Sequence, residues 1–335
     1  MHSSYQRLKD LLQNLPFITE SILILLLALI FDLILGEPPE KLHPTVWIGK
    51  TIEFLKPKFK GSSSKIEKIK GIMLGSIVII VFALIVYIAL SLLRKYLILI
   101  IYVVFAGALL KTTFAIKCMD ELSKPIGRAI KEGKMEDAKN MLRRIVRRDP
   151  TKFDDQKIIS AAVECVAEST VDGITSPLFY YSILGLPLAI AYRAINTLDS
   201  TVGYKDKEHV NIGWFSARMD TLANYIPARI TAFLMVLSAW LLRENWRRSW
   251  EILKRDKNKT ESPNAGWTMS AMAGAFDVQL EKPGFYILGD SVNLLNSDHI
   301  SRAIRIMRLT TLLFIMIIVL PIIVLMVGFL GVVLP

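Results

Sequence analysis

Cysteine is almost missing from this sequence: Cys118 and Cys165 are the only two in 335 residues. Two thiols so far apart form neither a disulfide framework nor a cysteine-ligated metal site. Each reads as a small buried or thinly exposed thiol. Histidine is scarce too. His2, His43, His209 and His299 stand singly, without the close spacing of zinc ligands. Glycine loops for nucleotides are also lacking. Residues 107–112 (G-A-L-L-K-T) have the lysine and threonine of a phosphate-binding loop but no glycine before the lysine, and they sit in an apolar run. No dinucleotide fingerprint follows a strand-like segment, and no internal repeat is evident. Even β-branched runs such as 77–81 lie inside segments too long to be anything but helices.

Apolar sequence is what the chain has in quantity, at 53% of its residues. A hydrocarbon core of about 30 Å is crossed by roughly 20 helical residues. Segments 72–93, 97–116 and 309–334 meet that length outright. Segment 18–35 is long enough but carries Glu20 near its start and Asp32 near its end, while 178–191 and 226–242 are shorter. The expected fold is all-α, a polytopic integral membrane protein with a helical cytoplasmic portion. Residues 1–116 form an N-terminal membrane region with three spans. Residues 117–308 form a motif-bearing region, in which 178–191 and 226–242 dip into or cross the bilayer. Residues 309–335 form a C-terminal span. Residues 1–16 are polar and no small-residue cleavage site follows the first apolar run, so that run is expected to stay as an anchor.

The formal net charge is +11, gathered at 41–70, 117–157 and 243–259. Short basic loops stay on the cytoplasmic side, so these three segments are expected to share it. Topology and anionic headgroups account for the charge without nucleic acid. Within 134–148, Met135, Ala138, Met141, Leu142, Ile145 and Val146 recur at helical spacing, with Arg143, Arg144, Arg147 and Arg148 around them. That pattern predicts an amphipathic helix near headgroups, ended by Asp149-Pro150. Two topologies satisfy the charge rule. If 178–191 and 226–242 both cross, 193–225 lies outside. If neither crosses fully, everything from 117 to 308 is cytoplasmic, which brings all polar motifs to one face.

The chemistry is concentrated in E-C-V-A-E-S-T-V-D-G (164–173) and R-A-I-N-T-L-D-S-T-V-G-Y-K (193–205). Glu164, Glu168 and Asp172 fall at i, i+4 and i+8, one acidic stripe on a helix. Beside apolar segments such a stripe needs a cation, a hydrogen-bond network or an aqueous cleft. Those three carboxylates, with Asp199 and Asp220, are candidates for Mg²⁺ ligation, which uses one or two carboxylates plus substrate phosphates. Arg193, Lys205, Arg218 and Arg229 are candidates for holding phosphates or carboxylates. The same ions could simply pair with one another inside a membrane-embedded bundle. S-P-N-A-G-W (262–267) reads as a capping turn before a small-residue helix, in which Asn264 and Gly266 could also offer amide and backbone donors to an anion.

The order of these blocks resembles the adenosylcobinamide-phosphate synthase (CobD/CbiB) family of cobalamin biosynthesis. The matching stretches are F-D-L-I-L-G-E-P-P (31–39) with His43-Pro44, Arg148-Asp149, and A-V-E-C-V-A-E-S-T-V-D-G-I-T-S-P-L-F-Y (162–180). They continue through Y-R-A-I-N-T-L-D-S-T-V-G-Y-K (192–205), G-W-F-S-A-R-M-D (213–220), N-Y-I-P-A-R (224–229), S-P-N-A-G-W, and A-M-A-G-A with Val278-Gln279-Leu280. Glu37 stands where the family often has aspartate, and Ser169 where asparagine is common.

The resemblance implies an integral membrane enzyme that joins adenosylcobyric acid to (R)-1-amino-2-propanol or its O-phosphate, with ATP and Mg²⁺. It implies that Glu164, Glu168 and Asp172 bind Mg-ATP or take the amine proton, with Asp199 and Asp220 as further metal or base groups. Arg193, Lys205, Arg218 and Arg229 would stabilise phosphate. Asn196, Asn224 and Asn264, with Ser262, would orient corrinoid amides or nucleotide. Other cobalamin-assembly enzymes are expected partners, and the active site is expected at the cytoplasmic face. The rival classes are a transporter and a non-catalytic membrane partner of cobalamin enzymes.

Overall fold

The computed structural model describes residues 2–146, 148–329 and 331. Arg147 and the end of the expected C-terminal span (330, 332–335) lie outside the described residues. Among the described residues, five helical stretches are long and apolar enough to cross a membrane: Pro16–Leu35, Ser64–Tyr96, Leu99–Lys131, Asp155–Val202 and Asp298–Phe329. A sixth is reached if the broken pair Trp214–Ala223 and Tyr225–Leu241 counts as one span. The chain is a polytopic helical membrane protein. Two compact units make it up, each discontinuous in sequence.

The first unit takes its described residues from Met1–Ala115, Ser176–Ala223 and Ile315–Pro335. Its Ser64–Tyr96 helix and the shorter Pro44–Leu55 helix both pack on Ser176–Val202. Ile48, Ile52, Leu74, Val78, Ala194, Leu198, Val202 and Ile212 form a shared buried core. The opposite side of Ser64–Tyr96 leaves Ile80, Leu84, Ile85 and Ile88 exposed, as lipid rather than water as the solvent requires. Glu20, a charge inside the first apolar run, is answered by the Arg94 guanidinium at 3.1 Å. The Ser176–Val202 helix is interrupted at Leu184-Gly185, where Gly185 has φ of +67°, two residues before Pro187. A left-handed glycine followed by a proline ends one helical run and starts another, which is why 178–191 looked short from sequence.

The second unit comprises Ile116–Thr175 and Asn224–Phe314. At its centre is Ala265–Phe276, buried over almost its whole surface. Its alanines, serine and glycines let Trp246–Asp256, Tyr225–Leu241 and Asp155–Thr170 approach closely, and Gly274 rests on the Arg248 carbonyl. A two-stranded antiparallel hairpin follows, Gln279–Lys282 with Tyr286–Gly289, turning at Gly284. Sequence reading gave no strand here. The strands are four residues each, with Leu280 and Leu288 facing in, too short for a period to register.

The amphipathic helix expected over 134–148 is shorter, Met135–Leu142. The Arg144 and Ile145 amides tighten onto the carbonyls of Met141 and Leu142, three residues back. Arg143 then bonds Asn140 and Thr151, so the chain turns before Asp149-Pro150 is reached.

Asp256 locks this unit from within. Its buried carboxylate takes Arg255 and Lys259 as ion-pair partners and accepts the Gly289 amide at 2.8 Å. Burial pushes its pKa up, but these hydrogen bonds outweigh it and hold the group down at about 2, against an ordinary 3.8. A lowered folded-state pKa makes the contribution complete above the unfolded value and lost as pH falls through the folded one. Acid titration of the thermal midpoint should therefore show a loss between pH 3.8 and about 2 that Asp256→Asn removes from the profile.

Candidate functional site

In the second unit the Asp155–Thr170 helix carries Glu164 inward and Glu168 outward. Glu164 is buried and saturated with donors. Arg148 Nη2 donates at 2.6 Å, the Tyr286 hydroxyl at 2.7 Å and Ser160 Oγ at 2.7 Å. Ser160 in turn accepts the Glu281 amide, tying the helix to the hairpin. Burial, then the neighbouring Glu164 charge, pushes the Tyr286 phenol well above its ordinary range, so it stays a donor. Asp172 lies in a π-helical turn, Val171–Thr175. That turn closes i to i+5, so the even i, i+4 stripe read from sequence does not continue into it. Among the described residues no three His, Cys, Asp or Glu side chains gather closely enough to hold a metal ion. The three-carboxylate ligand set does not fit this geometry.

Further along, Arg229 Nη1 donates to the Tyr225 carbonyl at 2.6 Å and to Asn264 Oδ1 at 3.2 Å. Asn264 and Asn224 are buried, each at the N-terminus of a helix. The Ser262 hydroxyl accepts the amides of Asn264 and Ala265, so Ser262 caps the helix and Asn264 is left to hold Arg229.

In the first unit, Ser176–Val202 carries Arg193, Asn196 and Asp199, and Trp214–Ala223 carries Arg218 and Asp220. Arg193 donates to Asn196 Oδ1 at 3.4 Å, and Asn196 Nδ2 donates to Asp220 Oδ1 at 3.3 Å. A half-buried cation, amide and carboxylate thus form one chain. Tyr180 stacks on Tyr192 beside it, with centroids 5.3 Å apart. Arg218 and Lys205 are exposed. Asp199 packs over Gly203, where a Cβ would collide with its carboxylate, so the glycine of the T-V-G-Y-K stretch keeps that carboxylate in place.

One cluster in this unit escaped sequence reading. The Lys111 ammonium, nearly fully buried, meets Glu37 Oε1 at 2.7 Å and Asp32 Oδ1 at 3.3 Å. His43 Nδ1 accepts the Thr45 amide, which leaves Nε2 to donate to Glu37 Oε2 at 3.0 Å. Burial works against the Glu37 charge, but the bonds from His43 and Lys111 win and hold its pKa below the ordinary carboxylate range. The available signal was a lone charge at the end of each of two apolar runs, since intramembrane ions occur with partners.

Comparison with known proteins matches residues 25–307 to the model of the CobD/Cbib protein family. The chain is 43% identical over 291 residues to the "Probable cobalamin biosynthesis protein CobD" of Methanothermobacter thermautotrophicus, covering 87% of this chain and 94% of that one. The protein of the same description from Methanocaldococcus jannaschii is 40% identical over 271 residues, covering 80% and 88%. The "Cobalamin biosynthesis protein CobD" of Dehalococcoides mccartyi is 38% identical over 283 residues, covering 84% and 91%. No solved structure matches.

Proposed function

The chain belongs to the CobD/CbiB family of cobalamin biosynthesis, and on that premise we propose that it forms the amide between adenosylcobyric acid and (R)-1-amino-2-propanol or its O-phosphate. The observation that carries the reading is the family match over 25–307, which takes in every polar block described above.

A carboxylate and an ammonium do not condense in water without activation. ATP is the activating co-substrate in this reading, brought in with Mg²⁺. A propionate oxygen attacks the γ-phosphorus and ADP leaves, giving an acyl phosphate. The free amine attacks the acyl carbon, and inorganic phosphate departs with the former carboxylate oxygen. The amine loses its proton to a protein base.

The residues then divide by environment. Arg193, held by Asn196, and Arg229, held by Asn264, present guanidinium donors suited to phosphate or carboxylate oxygens. Lys205 and Arg218, both exposed, add positive charge for incoming anions. Asp199 and Asp220 are the assigned bases, the second oriented by Asn196. Exposed Glu168 and half-buried Asp172 are further polar contacts for the substrates. Glu164 holds Arg148 and Tyr286 in position. The basic segments support a cytoplasmic-facing site, and neighbouring cobalamin-assembly enzymes are the expected partners.

Rates test these roles. Asp220→Asn and Arg193→Gln should each lower ATP-dependent amide formation by about 10²-fold or more, in the range of a lost general base or oxyanion donor. Wild-type rates in both variants would remove the first-unit residues from the mechanism.

A further inference from the structure

Most buried or half-buried cations of the second unit have a carboxylate partner: Arg148 with Glu164, Arg248 with Asp290, Arg302 with Glu244. Arg229 and Lys257 are different. Among the described residues neither has an acidic partner, yet both are partly buried and both face one indole. The Arg229 guanidinium carbon lies 4.8 Å from the Trp267 ring centroid and the Lys257 ammonium 4.5 Å from it. The two cationic centres are therefore no farther apart than the sum of those distances, comparable with the Debye length of about 8 Å at physiological ionic strength. Arg229 is fixed from behind as well, stacked on the Tyr225 ring at 3.3 Å and bonded to the Tyr225 carbonyl and Asn264.

Aromatic groups continue away from this point. Phe233 lies 6.0 Å from Trp267 and 5.6 Å from Trp250, between centroids. An apolar surface of that kind lowers the local dielectric and strengthens any charge-assisted bond made beside it. Two pre-positioned cations without a counter-charge, one of them a planar fork, suit a compact polyanion with several acceptor oxygens. The Trp267 Nε1 is itself buried and without a partner among the described residues.

We infer that Arg229, Lys257 and Trp267 form a binding site for a phosphate group, with Lys257 lying outside the sequence motifs and Trp267 closing the S-P-N-A-G-W stretch. Its link to catalysis rests on the synthase reading; its existence does not. A nucleotide, a phosphorylated amine and a phospholipid headgroup all carry the required group.

The test uses the full chain in nanodiscs of zwitterionic lipid, with binding measured calorimetrically and without turnover. The probes are inorganic phosphate, a non-hydrolysable ATP analogue, aminopropanol O-phosphate and, as control, unphosphorylated aminopropanol. A parallel arm adds an anionic phospholipid and measures what is retained after re-purification. At least one phosphate-bearing probe should bind saturably. Arg229→Gln and Lys257→Gln should each weaken it about tenfold or more, in line with a lost charge-assisted bond. Arg247→Gln, an exposed cation on the same unit, should leave it unchanged. Arg229→Lys, which keeps the charge but not the fork, should fall between. The probe that responds identifies the source, and a response confined to the anionic lipid makes this a headgroup site. Absence of saturable binding by every phosphate-bearing probe and lipid, or equal affinity in folded Arg229→Gln and Lys257→Gln proteins, overturns the inference. Normal product formation alongside that result would leave the synthase reading standing. Cluster-dependent binding without any product would do the reverse.

Discussion

Replacing Glu164 by alanine is expected to destabilise the protein by about 3–5 kcal/mol, the range for removing one partner of a buried ion pair. The carboxylate is 2% exposed and receives Arg148, Tyr286 and Ser160 together. Its loss strands a guanidinium, a phenol and a hydroxyl with no replacement acceptor, and each stranded group bears its own desolvation cost. The hairpin should loosen first, because Ser160 and Tyr286 are its ties to the Asp155–Thr170 helix. Glu164→Gln keeps the volume and one carbonyl acceptor, so it should cost less than alanine and still weaken the Arg148 contact. Thermal unfolding in detergent, followed by hydrogen exchange of 279–289, measures both effects. The contrast is Glu168→Gln, four residues on and exposed, which should change stability by no more than about 0.5 kcal/mol. A Glu164→Ala protein as stable as wild type would show that this carboxylate is not the pin described here.

Lys111→Met should be as damaging in the first unit. The ammonium is the counter-charge for Asp32, which is fully buried, and for Glu37. Methionine fills nearly the same volume but leaves two carboxylates facing each other in an apolar region. The expected cost is again about 3–5 kcal/mol. A second substitution separates this cause from packing. Adding Asp32→Asn to Lys111→Met removes one of the two stranded charges and should recover part of the loss, with a coupling energy of about 1–3 kcal/mol in a double-mutant cycle. Strict additivity would mean that the two residues do not act as a pair.

The membrane spans were legible because lipid imposes one demand, a long apolar helix, and residues such as Ile80 and Leu84 meet it without needing any partner in sequence. What could not be read was pairing at long range. Glu20 and Arg94 are 74 residues apart, as are Glu37 and Lys111, and nothing local links them. The acidic stripe was read as one continuous face, which the structure does not keep. Glu164 points in and Glu168 out, and the π-helical turn at Val171–Thr175 resets the rotation before Asp172. Asn196 and Asp220 were both marked as site residues, yet their contact joins two helices that no periodicity could bring together. Lys257 was hidden by composition: inside the basic run 243–259 it looks like any headgroup-facing lysine, and only its place on Trp267 distinguishes it.

The most direct test of the synthase reading is an isotope-labelled turnover by the purified full chain. Adenosylcobyric acid labelled with ¹⁸O in its free propionate is incubated with Mg-ATP and each amine in turn, and mass spectrometry follows both the corrinoid and the released phosphate. The account predicts a corrinoid heavier by the amine minus water, formed only with ATP, and one ¹⁸O in the inorganic phosphate for each amide made. Unchanged corrinoid with both amines, in protein shown to be folded, would contradict amide synthesis by this chain. Amide formed with no ¹⁸O in phosphate would contradict the acyl-phosphate route.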